Sequence, residues 1–115
     1  MKKVRVILSL EAEEEYKELV ERAQHSKVEK SILRAIENKT RLIRANPQYG
    51  EPIPKKQIPA EYLRKYGVNN LFWVALPDFW RLIYTLTANG EVEIIAFVLD
   101  IFDHGRYNKK FRYNG

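Results

Sequence analysis

The stretch FWRLIYTLTANGEVEIIAFVLD, Phe79 to Asp100, decides how this chain folds. Two β-prone arms flank Asn89-Gly90, the dipeptide most strongly tied to a tight type I′ hairpin. Within the first arm stands Arg81, an obligate cation among Trp80, Leu82, Ile83 and Tyr84. With Asn89 and Gly90 as the turn, Arg81 falls opposite Val98, Ile83 opposite Ala96, and Trp80 opposite Leu99. Directly opposed residues share a face. One face then carries Trp80, Leu82, Tyr84, Leu86, Ile95, Phe97 and Leu99. The other carries Phe79, Arg81, Ile83, Thr85, Thr87, Ile94, Ala96, Val98 and Asp100. The first set is bulkier and uncharged, so it is expected beneath the helices. The second, with Arg81, is expected to be open in part. A two-residue turn at Pro77-Asp78 would set Val74 beside Arg81, with Phe72 and Asn70 further along. A partly desolvated guanidinium in such a place suits a phosphate or carboxylate, which its planar fork can grip. The structural alternative is an ion pair with Asp100, diagonally across the same face.

Working outward, Leu71 to Leu76 reads as a further strand, and Val4, Val6 and Leu8 alternate as a first one. From Glu11 the apolar period becomes helical through Ala12, Tyr16, Leu19, Val20 and Ala23, with EAEEE placing carboxylates where the helix dipole favours them. Ser26-Lys27-Val28-Glu29 matches a capping box. A second helix follows it, with Val28, Ile32, Ala35, Ile36, Leu42 and Ile43 apolar, until Asn46-Pro47 stops it. His25 lies at the junction and reads as a surface residue. Pro47 to Gly67 holds four prolines and reads as a loop or edge segment. The order is strand, two helices, loop and meander. It predicts one α+β domain over residues 1–115, a small antiparallel sheet with the N-terminal helical hairpin on one face.

Composition narrows the function. The chain has 115 residues, 45% hydrophobic and 30% charged, enough for one packed core. There are no cysteines, so disulfides, thiolate catalysis and cysteine zinc sites are excluded. A net charge of +5 suits polyanionic partners as well as plain solubility. No apolar run reaches the roughly 18 residues of a membrane span. The lack of cysteine fits a reducing cytoplasm, and MKKVRVILSL, which turns acidic at EAEEE within a few residues, reads as a strand leading into a helix and not as a targeting segment. Histidine and carboxylate spacings suggest no metal, and no Gly-rich phosphate loop or nucleophile elbow occurs. No cofactor is expected.

The helical hairpin, the loop after Asn-Pro, the aromatic-Arg-Leu-Ile-Tyr of Trp80 to Tyr84 and the tail VLDIFDHGRYNKKF, Val98 to Phe111, together resemble the RelE/ParE toxin superfamily along the whole chain. The resemblance implies the toxin of a type II toxin–antitoxin pair, neutralised by a cognate antitoxin protein. RelE-type members are metal-independent, ribosome-dependent endoribonucleases that cut mRNA and so inhibit translation. The 2′-hydroxyl attacks the neighbouring phosphate there, and Arg81 matches the arginine that stabilises the developing charge. His104 and Tyr107 match the acid/base positions of the tail, histidine being the residue type suited to proton transfer near neutrality. Two strand lysines of well-characterised RelE enzymes fall, without gaps, on Phe72 and Val74. ParE-type members share the fold, lack that catalytic set and poison DNA gyrase.

Contacts to ribosomal or messenger RNA phosphates would come from Lys55, Lys56, Arg64, Lys65, Arg106, Lys109, Lys110 and Arg112. Two further readings stand beside the ribonuclease. One is a ParE-like or inactive member that binds a protein target such as gyrase. The other is an RNA-binding module whose RYNKKFRY segment stacks on bases; that segment could equally anchor the C-terminus.

Overall fold

The computed structural model describes residues 3–89 and 93–112. Strand β1 (Lys3–Leu8) leads into helices α1 (Leu10–Arg22) and α2 (Lys27–Ala45). After them come β2 (Glu51–Pro52), α3 (Ala60–Tyr66), β3 (Phe72–Ala75), β4 (Arg81–Asn89), β5 (Glu93–Phe102) and α4 (His104–Arg112). The strands form one sheet in the order β1-β5-β4-β3-β2. All pairings are antiparallel except the outermost, where β1 runs parallel to β5. The expected α+β architecture is present, with the helical hairpin on one face and a parallel edge strand added.

The hairpin forms for the reasons legible in its sequence. Ser9 caps α1, its hydroxyl accepting from the Ala12 N–H at 3.0 Å. Ser26 caps α2 by accepting from the Glu29 N–H, and the Glu29 carboxylate meets the same hydroxyl. That bond holds the Glu29 carboxyl below the usual carboxylate range. Asn46, extended before Pro47, ends α2. Ala12, Leu19, Ile32, Ile36 and Ile43 pack on Leu82, Tyr84, Ala96, Val98 and Ile101. Val20 and Val28, counted above in the apolar stripes, are exposed.

The β4–β5 register differs from the two-residue turn. Asn89 pairs with Glu93 and Ala88 with Ile94, so three residues join the strands; the Asn89-Gly90 turn geometry itself falls outside the described residues. The slip is odd, so β5 presents its other side: Ala96 and Val98, not Phe97 and Leu99, lie under the hairpin. A bulge then reverses the pattern. Tyr84 pairs with Val98 but Ile83 with Asp100, leaving Leu99 as the extra residue. Past it, Asp100 and Phe102 share the Arg81 face, and Arg81 lies opposite Phe102 rather than Val98. Ser9 holds this place. Its N–H donates to the Val98 carbonyl at 2.8 Å and its hydroxyl to the Leu99 carbonyl at 2.7 Å.

The second face of the sheet is not open. Ile53, Ile58, Tyr62, Val68, Leu71, Ile83, Leu99 and Phe102 form a second core, with Tyr66, Tyr107 and Phe111 packed against it. The Pro47–Gly67 segment supplies much of this cover. It contains β2, a 3₁₀ turn at Lys55–Gln57 and the amphipathic α3, which Gly67 ends in the left-handed conformation at φ 60°. Proline density hid a helix that begins just after Pro59, where proline's fixed φ fits a helix entry. Tyr84 ties this segment down from the buried side. Its hydroxyl accepts from the Gly50 N–H at 2.9 Å and donates to the Pro47 carbonyl at 2.7 Å. A Cβ at Gly50 would stand 2.9 Å from the Tyr84 ring, which explains the glycine.

Ser9→Ala is expected to cost about 2 kcal/mol or more. Losing a cap alone costs about 1 kcal/mol, and orphaning a buried carbonyl adds about 1–3 kcal/mol. Urea unfolding measures this directly, and a midpoint within error of wild type would remove Ser9 from its role at the bulge.

Candidate functional site

Arg81 opens β4 one residue after a three-residue 3₁₀ turn, Pro77–Phe79, which replaces the two-residue turn expected at Pro77-Asp78. The extra residue puts Ala75 opposite Arg81 and Trp73 opposite Ile83. Trp73, not Val74 or Phe72, therefore shares the arginine's face. Phe72 and Val74 point into the core beneath the hairpin. The β3 positions on the Arg81 side are thus an indole and an alanine, and no lysine stands in the strand.

The guanidinium lies in an aromatic sandwich. Its carbon is 4.1 Å from the Trp73 ring centroid and 4.8 Å from that of Tyr107. Planar, weakly hydrated arginine is the cation best suited to such stacking. Nε is buried and has no hydrogen-bond partner. Among the described residues Arg81 makes no ion pair, and the expected partner Asp100 is engaged elsewhere. The second side of the sandwich comes from α4, which the sequence presents only as a basic, aromatic tail. Asp103 caps it, accepting from the Arg106 N–H at 2.9 Å. Tyr107 stacks on Phe111 at 4.5 Å and sets its edge on Phe102 at 5.9 Å. His104, one turn earlier on the same helix, is exposed; its ring stands 6.0 Å from Phe79 and its Nε2 is 3.0 Å from Asn108 Nδ2. Tyr107 therefore lies over Arg81, and His104 stands one helical turn away beside Phe79.

The remaining cations divide into two groups. Lys110 Nζ lies 3.0 Å from Asp100 and 2.5 Å from Glu61, over the rings of Tyr62 and Phe102. Burial alone would lower the Lys110 pKa, but the bond to Glu61 and the charge of Asp100 outweigh it and raise it. Arg106 reaches Glu15 at 2.8 Å and Asp103 at 3.3 Å, with Trp80 beneath it, and the Glu15 bond raises its pKa further. Lys65 pairs with Glu11. These three pin α3 and α4 to the domain. Lys55, Lys56, Arg64 and Lys109 are exposed, and Arg112 closes α4.

A cleft of about 410 Å³ runs between α1 and α4, lined by Glu11, Glu14, Glu15, Glu18, Asp100, Arg106, Lys109 and Lys110. Five carboxylates against three cations make it a poor seat for a polyanion, and Arg81 does not line it. No group of three metal-ligating side chains occurs among the described residues, and no described helix is long and apolar enough to cross a membrane.

Sequence reasoning missed Trp73, whose place depended on the length of the turn at Pro77. It set Phe79 on the Arg81 face but not in the turn conformation it adopts, where Asp78 and Phe79 take left-handed φ values of 59° and 63°. It also missed the Tyr62–Asp100 bond of 2.7 Å, which requires the β5 bulge.

The model of a family described as "ParE toxin of type II toxin-antitoxin system, parDE" matches residues 6–106. No curated protein and no solved structure matches the chain.

Burial first, and then the neighbouring Asp100 charge, hold the Tyr62 phenol far above its ordinary value. Burial also raises Tyr66 and Tyr84. Lys110 is raised as well. Stability carried by such groups is fully present below about pH 10 and lost above it, because the unfolded chain releases its protons first. Tyr62→Phe is expected to flatten that alkaline fall by up to about 1.4 kcal/mol per pH unit, the linkage for one proton. Urea unfolding across roughly pH 9 to 11 reads the slope; an unchanged slope would mean that the phenol ionises freely in the fold.

Proposed function

The chain belongs to the ParE toxin family, so it is the toxin of a type II toxin–antitoxin pair with a cognate antitoxin, and we propose that it acts in the cytoplasm as a metal-independent, ribosome-dependent endoribonuclease on mRNA. One observation carries this reading. Arg81 is a half-buried cation with no carboxylate partner among the described residues, whereas Arg106 and Lys110 each have two. A desolvated guanidinium with an unsatisfied Nε is suited to an anionic ligand, and a phosphodiester supplies the charge and oxygens that the protein withholds. Tyr107 and His104 are the proton-transfer candidates beside it. The RNA 2′-hydroxyl would lose its proton to one of them and attack the adjacent phosphorus. The P–O5′ bond breaks, the 5′-oxygen takes a proton, and a 2′,3′-cyclic phosphate remains. Arg81 stabilises the added negative charge on the phosphoryl oxygens. In this reading the exposed Lys55, Lys56 and Arg64 meet further RNA phosphates, whereas Lys109 lies on the acidic cleft.

A second reading is a toxin that binds a protein target such as DNA gyrase. The observation favouring it is β3, which turns Trp73 and Ala75, not lysines, toward Arg81.

Induced expression followed by primer extension on a cellular message separates the two. The wild type is expected to cut mRNA within translated codons, and Arg81→Ala to reduce cleavage by about a hundredfold or more, the effect of losing one strong transition-state donor. Uncut mRNA from folded wild-type protein, with DNA supercoiling inhibited in a purified gyrase assay, would transfer the assignment to the second reading.

A further inference from the structure

We infer that Phe79 is a stacking platform for the nucleobase next to the phosphate held by Arg81, a deepening that rests on the ribonuclease reading above. Phe79 is 75% exposed, although aromatic rings normally contribute their area to a core. It is held at φ 63°, directly after Asp78 at φ 59°. Two successive left-handed residues are the conformation in which glycine is the default, and a bulky residue there is strained. Such strain persists only where the surroundings enforce it, and it concentrates at functional sites. The surroundings do enforce it. Leu76 N–H donates to the Trp80 carbonyl at 2.9 Å and Trp80 N–H to the Pro77 carbonyl at 3.3 Å, closing the turn on both sides.

The ring is also in the right place. Phe79 closes the turn that leads into β4 and Arg81 is the first residue of that strand, so the ring and the cation lie two residues apart in the chain. Their partners on α4 are in step. His104 stands beside Phe79 and Tyr107 over Arg81, one helical turn apart. One pair offers a solvent-facing aromatic surface and the other a cation for phosphate. Base–aromatic stacking accepts any π-face, so the platform positions the strand and grades the bases by stacking strength.

The test uses purified ribosomes programmed with a short synthetic mRNA, with single-turnover cleavage by wild type, Phe79→Gly, Phe79→Trp and Arg81→Ala. Phe79→Gly relieves the left-handed strain while removing the ring. It is expected to melt no lower than wild type, yet to cleave on the order of tenfold more slowly, the loss of one base stack. Phe79→Trp is expected to retain cleavage. On an mRNA with an abasic nucleotide beside the scissile phosphate, wild type and Phe79→Gly are expected to cleave alike, whereas Arg81→Ala stays slow on every substrate. Equal cleavage of the intact mRNA by wild type and Phe79→Gly overturns the platform while leaving the ribonuclease standing. A lowered melting temperature with unchanged cleavage makes the ring a packing element and also overturns it. Unchanged cleavage with lost affinity for the antitoxin overturns it in favour of a protein contact. No cleavage by wild type overturns the platform and the ribonuclease reading together.

Discussion

The bond from the Ser9 hydroxyl to the Leu99 carbonyl, 2.7 Å long, sits at the point on which the rest of the structure depends. It accepts the extra residue that β5 carries opposite Ile83 and Tyr84, and through the same oxygen Ser9 caps α1. Without a bulge, Asp100 and Phe102 would fall on the hairpin side of the sheet, because strand side chains alternate strictly. With it they stand on the Arg81 side. Asp100 there accepts from the Tyr62 hydroxyl and from Lys110, and Phe102 receives the edge of Tyr107. Helix α4 docks on those residues, and by docking it places Tyr107 over the arginine. One hydroxyl thus joins the end of β1, the start of α1, the irregularity in β5 and, through them, the geometry at Arg81.

The treatment of cations across the molecule separates scaffold from site. Arg106 and Lys110 are surrounded by carboxylates, and each couples α4 to another element, Arg106 to α1 and Lys110 to β5 and α3. Their charges are satisfied internally, and their role is attachment. Arg81 is instead flanked by π-faces, which attract its charge without occupying its hydrogen-bonding edge. A guanidinium oriented in this way loses little conformational freedom when it grips an anion. In the proposed ribonuclease, preorganisation of this kind would make its electrostatic contribution effective at the phosphate.

Much of the fold was legible because it rests on local rules. Ser26 and Glu29 box the start of α2, Asn46-Pro47 closes it, and Val4, Val6 and Leu8 alternate as a strand that brings Val6 and Leu8 against the hairpin core. The β4 face was legible too, since Leu82, Tyr84 and Leu86 lie on the side of the hairpin as their alternation requires. Helix α3 was hidden by the prolines around it, and α4 by a composition that reads as a solvated tail. Of the candidate site, Arg81, His104 and Tyr107 were singled out by residue type and order; Tyr107 lies over the arginine, and His104 stands one turn away beside Phe79. Trp73 was not, because one residue more in the turn at Pro77 changes which β3 side chain faces the arginine.

By itself, then, the sequence determined the α+β class, the capped helical hairpin, the presence of a cation in an apolar strand, and the family resemblance. Those features depend on contacts between near neighbours in the chain, where spacing alone specifies geometry. Only the tertiary structure decided that β1 pairs parallel to β5, that the second face is a core, and that Arg81 is stacked rather than salt-bridged. The first two rest on elements distant in the chain, and the last on a single-residue count in the turn at Pro77 and on one bulge. A strand inverts its faces with every residue gained or lost, so the outcome is set by packing against distant elements and not by the local pattern.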